Sequence, residues 1–303
     1  MTVLESNISW CTGTLNLTVG CSSCSAGCNT CYARTLVNGR MRGDFDGTMV
    51  FHEKRLADIR KFKPALNPST GLVEPKMIFV NSLSDFWHEK IPDDFIHRCL
   101  DRFEQHDDTI FQILTKRPVR ARKILSARYG NRGIPRHFWI GTSVEDNQVA
   151  ARMNVMRRLK DQVGEFTLFV SVEPLIGPVD YVDFTGADWV LIGGESGKGA
   201  RECREEWFAQ AFDGARAFGA AVHGKQWGKP ENNPYARQIK AEKPELGIVQ
   251  AFKWAVQMGL ELAPEEKGGA TFRGKLWHEK PKAFAELVAK LNQEAPAEPV
   301  LPL

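Results

Sequence analysis

Four cysteines lie within eleven residues near the N-terminus, at Cys21, Cys24, Cys28 and Cys31. The residues between them are Ser, Ala, Gly, Asn and Thr, so the cluster is not explained by cysteine packing as a small apolar side chain. The start of the sequence lacks the basic and apolar stretches of a signal peptide, and we therefore expect a cytoplasmic protein whose thiols stay reduced. Clustered thiols in that compartment indicate a metal site rather than a disulfide framework.

The type of metal site follows from the spacing of these thiols. Three closely spaced thiolates on one loop can hold three irons of a 4Fe-4S cluster and leave the fourth iron open to a small molecule. Structural zinc is the alternative, but such sites normally use two cysteine pairs with a longer spacer, often completed by His, and this loop contains no His. The remaining cysteines, Cys11, Cys99 and Cys203, are interpreted as structural.

Short runs rich in Ile, Val and Phe recur along the chain, and each ends in small or polar residues. Helical stretches such as residues 93–106 and 148–163 alternate with these runs. Because this alternation is typical of a parallel sheet covered by helices, we predict an α/β fold, a partial or nearly complete parallel (β/α) barrel related to the TIM barrel. The predicted strands are residues 15–19, 76–82, 109–116, 137–143, 167–173, 189–195 and 220–227.

The domain organisation is predicted from composition. The alternating pattern covers residues 1–230, which we assign to the barrel, and residues 231–293 form a C-terminal extension that is expected to pack on it. The last residues, 294–303, contain three prolines and are predicted to be a disordered tail.

Charge and hydropathy limit the classes of partner. The formal net charge of +3 is only mildly basic, so it permits a phosphate-bearing substrate without requiring one. No apolar run approaches the roughly 20 residues that a membrane span needs, and we expect no membrane partner.

The cysteine loop resembles that of radical S-adenosylmethionine (radical SAM) enzymes, whose signature C-x3-C-x2-C is satisfied by Cys24, Cys28 and Cys31. It is more similar to a phage-associated family of radical SAM type, itself distantly similar to spore photoproduct lyase. There the pattern is a Gly-Cys pair, a six-residue spacer that contains a second Gly, a Cys, two residues, and Cys-Tyr-Ala. Cys21, Cys28 and Cys31 match that pattern, and Tyr32 follows.

The resemblance covers most of the first 230 residues, with two departures. Cys24 is additional for the phage-associated family, and Thr30 replaces the aromatic residue that commonly precedes the last cysteine. The resemblance implies Cys21, Cys28 and Cys31 as the metal ligands, with Cys24 as the alternative to Cys21. The other matching segments are residues 78–89, 114–118, 172–175, 193–197 and 225–228.

The same resemblance implies an activity and its cofactors. A radical SAM enzyme uses a 4Fe-4S cluster to cleave S-adenosylmethionine reductively, and the 5′-deoxyadenosyl radical then abstracts hydrogen from a substrate. The phage association favours modification or rearrangement of a nucleotide, base or DNA. An external electron donor such as flavodoxin or ferredoxin is the implied partner. The alternative is a nucleic-acid-binding or repair-associated protein with a structural iron-sulfur or zinc site and no turnover of S-adenosylmethionine.

Residues at the predicted strand ends are the candidates for cofactor binding and catalysis, because barrel enzymes build their sites there. We expect the ammonium and carboxylate of S-adenosylmethionine to be held by Asn81, Ser82, Ser84 and Asp85, and its ribose by Ser143 and Glu145. Residues 193–195 are expected to form a wall of the site or a simple turn. The catalytic candidates are His88, Glu89 and Lys116, of which His88 and Glu89 could act as proton donors or acceptors. Positive charge around the barrel mouth, which suits a phosphate or carboxylate or is simply a solvated rim, is expected from Lys116, Arg117, Lys198, Arg201 and Lys225. The full set of cofactor-binding candidates is Tyr32, Asn81, Ser82, Ser84, Asp85, Ser143, Glu145, Glu173, Gly193, Gly194 and Glu195.

Overall fold

The computed structural model describes residues 2–38, 48–197, 199–257 and 267–293. Within these residues, eight strands form one sheet. In their order across the sheet, the strands are β1 (Thr2–Val3), β2 (Gly13–Leu15), β7 (Lys76–Val80), β8 (Thr109–Thr115), β9 (Phe138–Ser143), β10 (Leu168–Val172), β11 (Trp189–Gly193) and β12 (Ala221–Gln226). Every neighbouring pair is parallel except β1 and β2, which are antiparallel.

Helices connect most of the parallel strands, as a parallel sheet requires. Helix α2 (Asp93–Glu104) links β7 to β8, α3 (Pro118–Tyr129) links β8 to β9, α4 (Ala151–Val163) links β9 to β10, and α5 (Glu205–Ala217) links β11 to β12. The sequence pattern also predicted a helix after β10, but no helix is present among residues 173–188. The mainly parallel α/β sheet confirms the predicted fold class and is consistent with a partial barrel.

Shorter elements complete the described chain. Two small antiparallel pairs are formed by β3 (Thr18–Val19) with β4 (Val50–Phe51) and by β5 (Ala65–Asn67) with β6 (Leu72–Glu74). The remaining helices are α1 (Tyr32–Leu36), α6 (Pro234–Glu242), α7 (Ile248–Gln257) and α8 (Lys282–Gln293), with 3-10 turns at Ala26–Cys28, Glu53–Lys61, Asn147–Val149 and Pro230–Asn232. No helix among the described residues has the length and apolar character needed to cross a membrane.

The two faces of the sheet carry different side chains because successive residues of a strand point to opposite sides. Aliphatic residues such as Ile78 and Val170 pack against the helices. The other face is aromatic, and Trp10, Phe79 and Trp189 are buried together there. Burial of each such large side chain stabilises the fold by about 1.5–3 kcal/mol.

The first predicted strand, residues 15–19, is wrong in its bounds. The parallel strand is β2, and the chain has left the sheet by β3, which pairs with β4 instead. The cause is Asn81, whose Oδ1 accepts hydrogen bonds from the backbone amides of Leu17 at 2.8 Å and Thr18 at 3.3 Å. These amides are therefore satisfied by a side chain rather than by a neighbouring strand.

The C-terminal segment packs along the edge strand β12 and onto the aromatic face. Gly224 N donates to Trp277 O at 2.7 Å, and Glu279 N donates to Val222 O at 3.0 Å. Phe284 of α8 is buried in the same aromatic cluster as Trp10. The predicted disordered tail, residues 294–303, lies outside the described residues.

Candidate functional site

The cysteine loop, residues 20–31, lies across the carboxyl ends of the parallel strands. The Ser25 hydroxyl donates to Glu145 Oε1 at 2.7 Å, just beyond the end of β9. The Thr30 hydroxyl donates to Glu195, just beyond β11, and the Tyr32 hydroxyl donates to the backbone oxygen after β7 at 2.7 Å. The loop is thus attached to three different strand ends and covers the edge of the sheet where parallel α/β proteins bind ligands.

All four thiols of the loop are free cysteines. Cys24 Sγ and Cys28 Sγ lie 4.0 Å apart. Cys21 and Cys31 are partly buried against a small apolar cluster that contains Val19. Among the described residues, no three His, Cys, Asp or Glu side chains converge on the position of a single metal ion.

The ionisation of two of these thiols is coupled by their contact. The hydrogen bond from Cys24 lowers the pKa of the Cys28 thiol, and the nearby Lys116 ammonium lowers it further. The pKa of Cys24 is raised, first because its thiol is the donor in that hydrogen bond and then because it is partly buried. Burial, together with Asp85, raises the pKa of Cys21 to about 11. Compared with Cys21 and Cys24, Cys28 therefore more readily presents the thiolate that metal binding needs.

Arg117, just before α3, was expected only as one of several cations around the barrel mouth, and the structure places it against the cysteine loop. Its Nη1 lies 3.7 Å from Cys21 Sγ and 3.9 Å from Cys24 Sγ, and its Nη2 donates to Ser22 O at 2.9 Å and to Ser22 Oγ at 2.8 Å. The sequence signals were its position after a predicted strand and its place in the matching segment 114–118. Its specific contacts depend on the fold of the loop and are not encoded in local spacing.

Asp85 joins this arginine to the end of β8. Its carboxylate accepts hydrogen bonds from the Thr115 hydroxyl at 2.7 and 2.8 Å and from Lys116 N at 2.9 Å, and it lies 3.6 Å from Arg117 Nη1. The predicted cofactor-binding carboxylate is therefore engaged in holding two strand ends and the arginine in place.

The other predicted residues after β7 support the beginning of the cysteine loop. The Asn81 amide holds Leu17 and Thr18, as described above. Ser82 Oγ donates to Asn16 Oδ1 at 3.2 Å, and Ser84 Oγ lies 2.7 Å from Thr18 Oγ1. The structure brings these candidates together beside the loop, and their proposed contacts with a cofactor stay a prediction.

The His88 side chain is buried beneath the cysteine loop, beside Ser22. The ring is fully buried, Nδ1 accepts from Lys90 N at 3.2 Å, and Nε2 lies 2.8 Å from Ser22 Oγ. Since Nδ1 is the acceptor, Nε2 carries the hydrogen and donates to Ser22. Burial lowers the pKa of His88, and Arg117 acts in the same direction, so the ring is neutral near pH 7.

Glu89, the second predicted proton donor or acceptor, is exposed beside the arginine. Its Oε2 accepts from Arg117 Nε at 2.9 Å. Partial burial acts to raise the pKa of Glu89, but the hydrogen bond and charge of Arg117 outweigh it, so the pKa is lowered. Glu89 is therefore ionised and pairs with Arg117.

Glu145 is the buried centre of a charge network under the loop. Its side chain is 1 % exposed, Oε2 accepts from Arg152 Nη1 at 2.8 Å, and Oε1 lies 3.6 Å from Lys116 Nζ. Burial acts to lower the pKa of Lys116, but Glu145 and Cys28 outweigh it and the pKa is raised. A Cβ on Gly27 would lie 2.5 Å from the Glu145 side chain, so only glycine permits this approach of the loop.

A second polar group lies at the ends of β10 and β12. Lys225 Nζ donates to Glu173 Oε1 at 2.6 Å, and Gln226 Nε2 donates to the same oxygen at 2.8 Å. Ser143, at the end of β9, is buried, while the Tyr32 side chain is 54 % exposed. Of these two predicted cofactor-binding residues, only Tyr32 therefore presents a side chain to solvent.

The Gly193–Gly194–Glu195 run has a structural explanation for its second glycine. A Cβ on Gly194 would lie 2.2 Å from Trp227 O, so the close packing of β11 against the end of β12 requires glycine. Glu195 accepts from Arg201 Nη2 at 2.5 Å as well as from Thr30. Burial acts to raise the pKa of Glu195, but the hydrogen bonds from Arg201 and Thr30 outweigh it and the pKa is lowered.

Comparisons with known proteins identify the family of this chain. Comparison with curated protein sequences gave no match. A solved structure of a spore photoproduct lyase double mutant, with bound AdoMet and a dinucleoside spore photoproduct, aligns with a TM-score of 0.45 and 14 % sequence identity. The alignment covers 80 % of this chain and 64 % of that chain, so it spans less than two thirds of the lyase. The DUF5131 family, described as a protein of unknown function, matches residues 5–281, and the chain therefore belongs to the DUF5131 family.

Proposed function

We propose that this protein is a radical SAM enzyme that binds a 4Fe-4S cluster on its cysteine loop and cleaves S-adenosylmethionine reductively. The observation that carries the proposal is the position of four free thiols on one loop across the carboxyl ends of a parallel sheet. The donor set fits the cluster, because iron-sulfur clusters are held by cysteine thiolates and here one thiol, Cys28, has a lowered pKa.

Cys28 and Cys31 would hold the cluster with Cys21 as the third ligand, and Cys24 is the alternative to Cys21. When bound and reduced, the cluster would supply the electron that cleaves S-adenosylmethionine and yields a 5′-deoxyadenosyl radical for hydrogen abstraction. The protein's own task is then to orient the reacting groups and to keep water away from them. An external reductant such as flavodoxin or ferredoxin would deliver the electron.

Side chains at the carboxyl edge of the sheet suit the orientation of a polar cofactor. Glu173 and Lys225 offer one negative and one positive group below the loop, and Tyr32 offers an exposed aromatic face. A carboxylate or phosphate would have to compete with Glu173 for Lys225, and an ammonium would have to compete with Lys225 for Glu173. The contacts of S-adenosylmethionine with Ser143 and the residues after β7 belong to the same proposal.

We further propose a nucleotide, a base or DNA as the substrate. Two observations support this class of substrate. One is the resemblance to a phage-associated family, and the other is the presence of the cations Lys116 and Arg201 at the carboxyl edge of the sheet. Each of these cations is paired with a carboxylate, as in Lys116 with Glu145 and Arg201 with Glu195. A phosphate that displaces one of these carboxylates would be recognised by charge, with binding that weakens as salt rises.

Formation of 5′-deoxyadenosine tests this function. The protein is reconstituted anaerobically with iron and sulfide and incubated with S-adenosylmethionine and dithionite, alone and with nucleotides or DNA. We expect 5′-deoxyadenosine that depends on the reductant and increases with the correct substrate class. A loaded cluster without any cleavage would instead favour a nucleic-acid-binding or repair-associated protein with a structural cluster.

A further inference from the structure

We propose that Arg117 is a positioning residue for the iron-sulfur site, which holds the first half of the cysteine loop and places a positive charge beside the cluster. This inference rests on the proposed function. It goes beyond it because it assigns to a residue outside the cysteine motif control over both cluster retention and reduction potential.

The guanidinium group of Arg117 contacts two thiols and the segment between them at once. Nη1 lies within 4 Å of both Cys21 Sγ and Cys24 Sγ, and Nη2 donates to the backbone oxygen and the hydroxyl of Ser22. A planar fork of donors can make these contacts together, whereas a lysine ammonium on a flexible stem cannot reach them all. The contacts fix the segment whichever of Cys21 and Cys24 is the third ligand.

Two carboxylates, Glu89 and Asp85, hold the arginine in this orientation. Nε donates to Glu89 at 2.9 Å, and Asp85 lies 3.6 Å from Nη1. Asp85 is itself fixed by Thr115 at the end of β8, so the guanidinium position is set by the sheet. The arginine thus connects the cysteine loop to the end of β8.

The charge of Arg117 acts at short range in a partly dehydrated place. Its side chain is 13 % exposed, so solvent and salt screen the charge less than at the surface. A nearby cation favours the more negative, reduced state of a cluster and so raises its reduction potential. Glu89 and Asp85 offset part of this effect, but the guanidinium itself contacts both thiols, so the net effect of Arg117 should be to raise the potential.

The experiment compares reconstituted holoprotein of the wild type with Arg117→Gln, Arg117→Lys and a matched control, Arg120→Gln. Arg120 lies one turn further along α3 and donates to His88 O, Ile91 O and Asp93, and none of its described contacts is with a sulfur atom. The measurements are iron and sulfide content, the rate of iron loss to a chelator, and the midpoint potential. Far-UV circular dichroism establishes that each variant is folded.

We expect Arg117→Gln to lose iron about tenfold faster than the wild type, in line with the effect of residues that support metal ligands. Where the cluster is retained, its potential should be more negative, by about 59 mV for a tenfold shift of a one-electron couple. Arg117→Lys should keep the potential near that of the wild type but still lose iron faster. Arg120→Gln should change neither quantity.

Equal iron retention and equal potential in the wild type and folded Arg117→Gln would overturn the inference. If Arg117→Gln does not fold, Arg117→Lys decides, because iron loss at the wild-type rate in that variant would overturn it as well. Failure of the proposed function has a different signature: the wild type itself would then bind no iron-sulfur cluster. The two failures are therefore distinguishable.

Discussion

The Ser25 hydroxyl donates a hydrogen bond of 2.7 Å to Glu145 Oε1, which ties the cysteine loop to the end of β9. These residues are 120 positions apart in the sequence. Glu145 also neutralises Arg152 and faces Lys116, so one buried carboxylate connects the loop to the charge network beneath it. The geometry of the thiols therefore depends on a residue that is not in the cysteine motif.

Replacement of this carboxylate, Glu145→Ala, should destabilise the protein strongly. It leaves Arg152 and Lys116 without their buried partner, and breaking a buried ion pair costs about 3–5 kcal/mol. The matched variant Ser25→Ala removes only the hydrogen bond to the loop and should cost about 0.5–1.5 kcal/mol. Urea unfolding measures both, and equal effects of the two substitutions would show that the network does not carry this stability.

Substitution of each loop cysteine should show which three of them hold the cluster. Cys28→Ala and Cys31→Ala should each abolish the cluster, because both candidate triads contain them. We predict that Cys21→Ala also loses iron and cofactor cleavage, while Cys24→Ala keeps both. The opposite result for Cys21→Ala and Cys24→Ala would place the third ligand at Cys24. Iron analysis and 5′-deoxyadenosine formation provide the measurements.

Stability should fall in acid partly because of His223, which lies on β12 and packs against Trp189 of the aromatic face. Burial lowers the pKa of His223 to about 3, and His278 and Lys225 act in the same direction. Its folded pKa is below the unfolded value of about 6.5, so its contribution is complete above that pH and is lost as the pH falls toward 3. Between pH 7 and pH 5 this loss amounts to about 2 kcal/mol.

The measurement is urea unfolding at pH 7 and pH 5 for the wild type and His223→Gln, which retains a partner for Ser9 Oγ, now 2.9 Å from the ring. The variant should lose less stability between the two pH values by about 2 kcal/mol. The substitution His278→Gln removes the stacked neighbour and leaves His223 in place, so most of the pH dependence should persist. Identical pH dependence in the wild type and His223→Gln would contradict this account.

The sequence predicted the sheet well because its strands are nearly continuous apolar runs. β7, β8, β9, β10 and β11 all lie within the predicted ranges, since burial on both faces leaves a pattern that is visible locally. The first strand was misplaced because the backbone amides of Leu17 and Thr18 donate hydrogen bonds to the Asn81 side chain. These residues are far apart in the chain, so no local pattern in the sequence indicates the contact.

The edge of the sheet at which the candidate residues lie was predicted from the sequence, but their side-chain contacts were not. The cysteines and the strand-end residues were expected at one edge of the sheet, and the structure places them there. The hydrogen bonds of Arg117 to the loop, and those of Ser25 and Thr30 to Glu145 and Glu195, were not predicted. Side-chain pairing across 90 or more residues leaves no local spacing in the sequence, so only the fold reveals it.

The most direct test of the central claim is the metal and sulfide content of protein purified and reconstituted without oxygen. We predict brown protein that binds about four irons and four sulfides per chain, and that loses them in Cys28→Ala. Colourless protein that contains stoichiometric zinc after anaerobic purification would contradict the claim that this loop binds an iron-sulfur cluster.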